Sequence, residues 1–148
     1  MKWTEEVITR VKEDFGYNDE EMKLFLENPK NEVVVPKALA LWSKAIVVEV
    51  VESHGCIAQH KVGDRFYFEG VNLLTKQCPE KICISALSEM DRLVCGVFEL
   101  FMAGIDPNKM IFNRAGCWDV GVRCGGWGRI VMEIRVEKHR KVKKEQEL

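Results

Sequence analysis

The chain has 148 residues, of which 47% are hydrophobic and 30% are charged, a composition that excludes a disordered, collagen-like or coiled-coil protein. Lysine and arginine number 22 against 23 aspartates and glutamates, so the net charge is −1. A nearly neutral chain has no overall field that would attract a polyanion, so we expect no nucleic-acid partner. The length predicts a single domain, residues 1–148, with a sufficient hydrophobic core of its own.

The N-terminus and the apolar runs predict a cytoplasmic protein. Glu5 and Glu6 stand where a signal peptide would have its basic and apolar regions. The longest apolar stretch, residues 45–51, is far too short to span a membrane. Six cysteines would make three disulfides in a small secreted protein, but a core of this size does not need them. We therefore expect reduced thiols and no membrane partner.

Residues 1–31 predict a helical N-terminal extension in the form of a hairpin. Apolar residues recur at helical spacing before Gly16, which is suited to end the first helix. Asn18 and Glu21 have the spacing of a capping box that begins a second helix. Pro29 is expected to end that helix, because the residue before a proline avoids the helical conformation. The apolar faces of the two helices favour a homo-oligomer, most simply a dimer.

Residues 38–137 predict an α+β core. The β-branched run at 46–51 and the alternating run Arg65–Glu69 predict strands, and a broad apolar stripe over 84–101 predicts one long helix. Further strands are expected at 110–112, 120–122 and 130–136, with a turn at 125–126. This order predicts an α+β fold in which a long central helix packs on a mainly antiparallel sheet. The basic stretch 138–148 is expected to be a flexible tail.

Cysteine and histidine carry the most informative pattern. Cys56 and His60 lie four residues apart in one predicted loop, and Cys83 and Cys117 lie near the ends of predicted elements. Thiolate and imidazole donors in such places suit a soft metal, with zinc or iron as the candidates, so these four residues are candidate metal ligands. None of the spacings is a Cys-x-x-Cys knuckle, however. Cysteine is also a small hydrophobic residue that is often buried without a ligand, which leaves a structural role open.

Cys83 has a second interpretation as a nucleophile. A position near a helix N-terminus lowers a thiol pKa. With His60 or His54 alongside as the base, Cys83 would form a nucleophile and base pair, and Asp119 would orient the base or act as an acid. A lone Asp between hydrophobic residues is also typical of a turn. The candidate ligand-binding residues are the cations Arg114 and Arg123 and the pocket-wall residue Trp118.

From about residue 46 to 136 the chain resembles an uncharacterised family of small cysteine-containing proteins that is common in anaerobic bacteria and archaea. The shared residues are Gly55-Cys56, His60-Lys61-Val62-Gly63-Asp64, Phe66, Pro79-Glu80, Cys83, Cys117 and Asp119. The resemblance implies that one cluster is formed by Cys56, His60, Cys83, Cys117 and Asp119. No reaction is assigned to the family, so the resemblance implies a site rather than a function.

A fainter likeness is to the thiazoline-carboxylate hydrolase family, whose members open a sulfur heterocycle. The residues that carry it are Cys78-Pro79, Cys95, Glu99, residues 104–107, Arg114 and Cys124, with Glu99 standing where that family has an aspartate. Three functions therefore stay open. They are a small-ligand or metal-binding accessory protein, a small hydrolase or other cysteine-dependent enzyme, and a structural protein with inert buried cysteines.

Overall fold

A computed structural model of the chain describes residues 3–138, and it divides into two compact units, one ending at Ala40 and the other beginning at Leu41. The helices are α1 (Glu5–Phe15), α2 (Asp19–Glu27), α3 (Pro29–Trp42) and α4 (Ile84–Met102). The strands are β1 (Lys44–His54), β2 (Arg65–Glu69), β3 (Asn72–Leu73), β4 (Arg114–Gly116) and β5 (Arg129–Lys138). Within residues 3–138, no helix combines the length and the apolar character needed to cross a membrane.

The two predicted N-terminal helices are present, with the expected ends. The Thr4 side chain accepts the backbone amide of Val7 at the start of α1, and Gly16 ends that helix at a φ of 67°. Asn18 and Glu21 form the predicted capping box, with both of its hydrogen bonds present. Local sequence signals were therefore sufficient to place α1 and α2.

A third helix, α3, is absent from the sequence prediction. Pro29 does end α2, and Asn28 before it is extended, at a φ of −82° and a ψ of 111°. The same proline begins α3, because a missing N–H costs nothing in the first helical turn. The Asn28 side chain accepts the amide of Lys30 at 3.1 Å and helps to start the new helix. Helical structure therefore continues to Trp42, beyond the predicted limit at residue 31.

The second unit is built on a five-stranded antiparallel sheet in the order β3-β2-β1-β5-β4. Its two long central strands, β1 and β5, pair from Lys44 opposite Lys138 to His54 opposite Arg129. The register shifts between Val50 and Glu52, as in a β-bulge. The predicted α+β class with a mainly antiparallel sheet is confirmed.

The helix α4 packs on one face of this sheet and forms the core with it. Alternate residues of β1 (Ile46, Val48 and Val50) are fully buried on that face. They join Phe66 of β2 in a cluster with β5 and with α4 residues. The members from β5 and α4 are Ile130, Met132, Ile134, Ala86, Met90, Leu93, Val94 and Val97. The long apolar stripe of the sequence is thus the buried face of α4.

The opposite face of the sheet carries paired charges. Glu49 on β1 lies 2.9 Å from the guanidinium of Arg65 on β2 and 2.9 Å from that of Arg135 on β5. Arg114 on β4 pairs with Glu133 on β5 at 2.7 Å. Partly exposed ion pairs of this kind contribute only about 0–1 kcal/mol each. These pairs lie on the polar face of the sheet, away from α4, although Val47 of β1 is fully buried on the same face.

Two of the predicted short strands are wrong in position. Residues 110–112 are not a strand, and Ile111 and Phe112 are 86% and 84% exposed, so no core contact holds them in one. The strand that the structure has in this region is the edge strand β4, Arg114–Gly116.

Residues 120–122 are not a strand either, because Gly121 has a positive φ of 78° and a 3₁₀ turn covers Val122–Cys124. Gly125, at a φ of 87°, ends that turn, close to the predicted turn at 125–126. At the C-terminal end β5 includes Lys138, and the rest of the predicted tail, 139–148, lies outside the described residues.

Candidate functional site

One small cavity, of about 50 Å³, brings together the five residues of the predicted cluster. Its walls come from the loop after β1, the start of α4, the glycine-rich loop between β4 and β5, and the first part of β5. The lining residues are Cys56, Ile57, His60, Cys83, Ser85, Ala86, Cys117, Asp119, Trp127, Gly128 and Ile130. Three thiols from three separate segments therefore line the same space.

Cys83 occupies the N-cap position of α4, near the helix N-terminus as its place in the sequence predicts, and its side chain makes no capping hydrogen bond. It precedes the first helical residue, and its Sγ lies 3.0 Å from Ser85 Oγ. Burial raises the pKa of the Cys83 thiol, whereas the Ser85 hydroxyl and the backbone amides of Ala86 and Ser85 lower it. The lowering effects win, so the pKa of Cys83 lies below the ordinary value for a thiol. The start of the helix thus favours a thiolate that faces the cavity.

His60 is a buried positioning group beside Cys83. Its side chain is 1% exposed and its ring meets Phe66 edge-on, with ring centres 5.3 Å apart. His60 Nε2 accepts the backbone amide of Cys83 at 3.4 Å. On the other side of the ring, His60 Nδ1 lies 3.6 Å from Asp64 Oδ2. The imidazole therefore ties the loop after β1 to the start of α4.

Asp119 organises the glycine-rich loop. Its carboxylate accepts the amide of Gly121 at 2.9 Å, that of Trp127 at 3.0 Å and that of Gly128 at 3.1 Å. These amides, with Gly121 and Gly128 contributing most, lower the pKa of the Asp119 carboxyl and keep it ionised. The carboxylate beside the His60 ring is that of Asp64, so the orienting contact predicted for Asp119 is made by Asp64 instead.

Cys56 and Cys117 are held in different ways. The Cys117 Sγ accepts the amide of Ile130 at 3.4 Å, and its own amide bonds the Ile130 carbonyl, so it is fixed against β5. Cys56 lies in the loop after β1, next to Gly55, which has a φ of 61°. That loop approaches Gly128 so closely that a Cβ at Gly128 would lie 2.1 Å from the Gly55 carbonyl oxygen.

The other three cysteines lie away from this cavity. Burial raises the pKa of Cys78, whose thiol donates to the Leu74 carbonyl. Cys95 is exposed on α4, and its pKa is raised by burial and by the Asp91 carboxylate. Cys124 is exposed and lines a separate groove. These are the three cysteines that contribute to the fainter hydrolase likeness, and none of them lines the cavity.

The predicted ligand-binding residues do not line the cavity. Arg114 lies on the polar face of the sheet, paired with Glu133. Trp118 is 70% exposed. Arg123 lines the separate groove, of about 530 Å³, together with Arg129. The aromatic residue of the cavity wall is Trp127 instead.

Ser85 and Asp64 are the site residues that sequence reasoning missed. Ser85 follows Cys83 by two residues at a helix start, where a hydroxyl can reach the side chain at the N-cap position. Asp64 follows His60 by four residues, but after Gly63 it suggests only a turn. Both spacings are visible in the sequence, although neither is specific to a functional site.

Over residues 3–138, no three histidine, cysteine, aspartate or glutamate side chains stand where they could hold one metal ion. All six cysteines are free thiols. Comparison of the chain with family models, curated proteins and solved structures finds no match.

Proposed function

We propose that the protein binds a small electrophilic molecule in the thiol-lined cavity, with Cys83 as the nucleophile that holds it. The observation that carries the proposal is the position of Cys83, because a thiol with a lowered pKa lines the cavity beside Ser85 and His60. The thiolate is the nucleophilic form of cysteine, and groups that stabilise it make a thiol reactive at lower pH.

The size of the cavity limits the ligand. A volume of about 50 Å³ holds only a molecule of a few non-hydrogen atoms. Ile57, Ala86 and Ile130 supply apolar wall, and the Ser85 hydroxyl supplies a polar contact next to the sulfur. Such a wall favours a small, weakly polar electrophile over a large charged one.

No separate general base is needed for this chemistry. His60 Nε2 is engaged by the Cys83 amide, and the thiol is hydrogen-bonded to Ser85 instead. The helix start and the Ser85 hydroxyl stabilise the thiolate before the ligand arrives. His60 then acts as a positioning residue for the backbone of Cys83.

The pH dependence of alkylation tests this proposal. Reduced full-length protein is treated with iodoacetamide over a pH series, and the modification of each cysteine is quantified by peptide mass spectrometry. We expect the midpoint pH for Cys83 to lie below that for Cys95, because the pKa of Cys83 is lowered and that of Cys95 is raised. The midpoint is compared rather than the absolute rate, because Cys83 is half-buried and Cys95 is exposed.

Ser85→Ala provides the matched variant, since it removes only the hydroxyl at the sulfur. It is expected to raise the midpoint pH of Cys83 and to leave that of Cys95 unchanged. A Cys83 midpoint equal to or above that of Cys95 would contradict the proposal. Binding of about one equivalent of zinc or iron per chain, with protection of Cys83 from alkylation, would also contradict the proposal.

We also propose that the protein is a cytoplasmic homodimer. Free thiols fit a reducing compartment. Both units expose large apolar side chains, such as Leu24 at 64% and Ile84 at 74%, that a second copy would cover. Light scattering at micromolar concentration is expected to give twice the 17.0 kDa mass of one chain. A monomeric mass would defeat this part of the proposal.

A further inference from the structure

Two thiols of the cavity are not used by covalent binding at Cys83. Cys56 and Cys117 line the same space of about 50 Å³. A nucleophile that only captures an electrophile requires one sulfur. Further thiols at the same small cavity are what a two-electron reduction requires, because an oxidised sulfur can be attacked by a neighbouring thiol.

We infer that the cavity reduces small hydroperoxides, with Cys83 as the attacking thiolate and Cys56 as the thiol that completes the reaction by forming a disulfide. This inference rests on the proposed function, since it uses the same nucleophile. It adds the class of substrate and the role of a second cysteine.

The reaction balances in two steps. The Cys83 thiolate attacks the terminal oxygen of the hydroperoxide, the O–O bond breaks, and the leaving alkoxide or hydroxide takes a proton from water. Cys83 is then a sulfenic acid. The Cys56 sulfur attacks that sulfur, an S–S bond forms, and the hydroxyl leaves with the Cys56 proton as water. Two sulfurs each lose one electron and the two peroxide oxygens gain them. An external dithiol then reduces the disulfide by thiol–disulfide exchange and restores the two free thiols.

The structure favours Cys56 over Cys117 as the second thiol. Cys117 is fixed by two hydrogen bonds with Ile130, one of them to its sulfur. Cys56 lies in a loop that leaves β1, and a disulfide requires its Cα to come within about 7 Å of the Cα of Cys83. The Cys56 backbone is held within its own loop, where its carbonyl accepts the Gln59 amide at 2.9 Å, whereas Cys117 is held against the central strand β5. Bringing Cys56 toward Cys83 therefore displaces a loop rather than a residue bonded to a central strand.

The walls of the cavity also limit the peroxide. Hydrogen peroxide has two oxygen atoms and fits a space that admits a few water-sized molecules. A bulky aromatic hydroperoxide does not fit. We therefore expect hydrogen peroxide to react faster than cumene hydroperoxide.

The test uses the reduced full-length protein and stoichiometric hydrogen peroxide without oxygen or chelators. We expect two of the six thiols to be lost, the mass to fall by two hydrogens, and peptide mapping to join Cys56 to Cys83 in one chain. Cys56→Ser is expected to accumulate a sulfenic acid at Cys83 that dimedone traps. Cys83→Ser is expected to abolish the disulfide. Cys95→Ser, which changes an exposed thiol away from the cavity, is expected to react like the unaltered protein.

A disulfide between any other pair, or no loss of thiols, would overturn the inference. The alkylation experiment separates the two proposals. If Cys83 is alkylated at lower pH than Cys95 but no disulfide forms with peroxide, ligand binding at Cys83 stands and peroxide reduction falls. If the alkylation midpoint of Cys83 is not lower than that of Cys95, both proposals are contradicted.

Discussion

Gly128→Ala is expected to open the thiol-lined cavity. A methyl group at this position would lie 2.1 Å from the carbonyl oxygen of Gly55 and 2.9 Å from the amide nitrogen of Cys56. Ordinary contacts between such atoms are about 3.5 Å, and backbone atoms cannot rotate away as the end of a side chain can. The loop after β1 and the loop before β5 must therefore separate. We expect a loss of about 1–3 kcal/mol in the free energy of unfolding, together with a shift of the Cys83 alkylation midpoint.

Gly116→Ala is the matched control for this change. Its added methyl would meet only the Ile130 carbonyl oxygen, at an ordinary 3.6 Å, and its φ is not positive. The control is expected to stay within about 0.5 kcal/mol of the unaltered protein. Urea unfolding measures the stability of both variants, and peptide-mapped alkylation measures Cys83. Equal effects of the two substitutions would show that the contact between Gly55 and Gly128 does not hold the cavity closed.

The gathering of the site residues depends on strand pairing that a single sequence does not reveal. Cys56 and Cys117 are far apart in the chain, and they line one cavity because His54 at the end of β1 lies opposite Arg129 at the start of β5. That register brings the loop that leaves β1 beside the loop that enters β5. Local patterns predicted both central strands but not their adjacency. The five residues were predicted as one cluster, but without its geometry.

The role of Asp119 shows why residue type alone could not assign the chemistry. A carboxylate near a cysteine is compatible with catalysis and with a turn. The unpaired amides of a glycine-rich loop need an acceptor, and Asp119 meets that need with both oxygens, to Gly121, Trp127 and Gly128. The carboxylate that contacts His60 is that of Asp64, because the turn after residue 60 brings it back to the imidazole ring.

The unpredicted helix α3 and the misplaced short strands have different causes. Pro29 is both a helix terminator for the preceding residues and a good first residue for a new helix. Residues 110–112 have strand-forming side chains, but those of Ile111 and Phe112 face solvent. Tertiary contact decides such short segments, because strand propensity measures how well a side chain fits its neighbours.

Phe66→Ala is expected to cause the largest loss of stability among single substitutions near the site. Phe66 is fully buried, belongs to the core cluster between α4 and the sheet, and meets the edge of the His60 ring. Removing a buried phenyl ring costs about 3–5 kcal/mol, because transfer free energy is lost and a cavity remains. That is a large share of the roughly 5–15 kcal/mol of a typical domain.

Phe112→Ala is the control, since Phe112 is 84% exposed and its loss is expected to change stability by less than about 0.5 kcal/mol. Urea unfolding at an unchanged m-value is the measurement. Where Phe66→Ala remains folded, the empty space beside His60 is also expected to loosen its bond to the Cys83 amide and to shift the alkylation midpoint of Cys83. Equal midpoints of unfolding for the two variants would contradict the packing of β2 against α4, and with it the support that the core gives to the cavity.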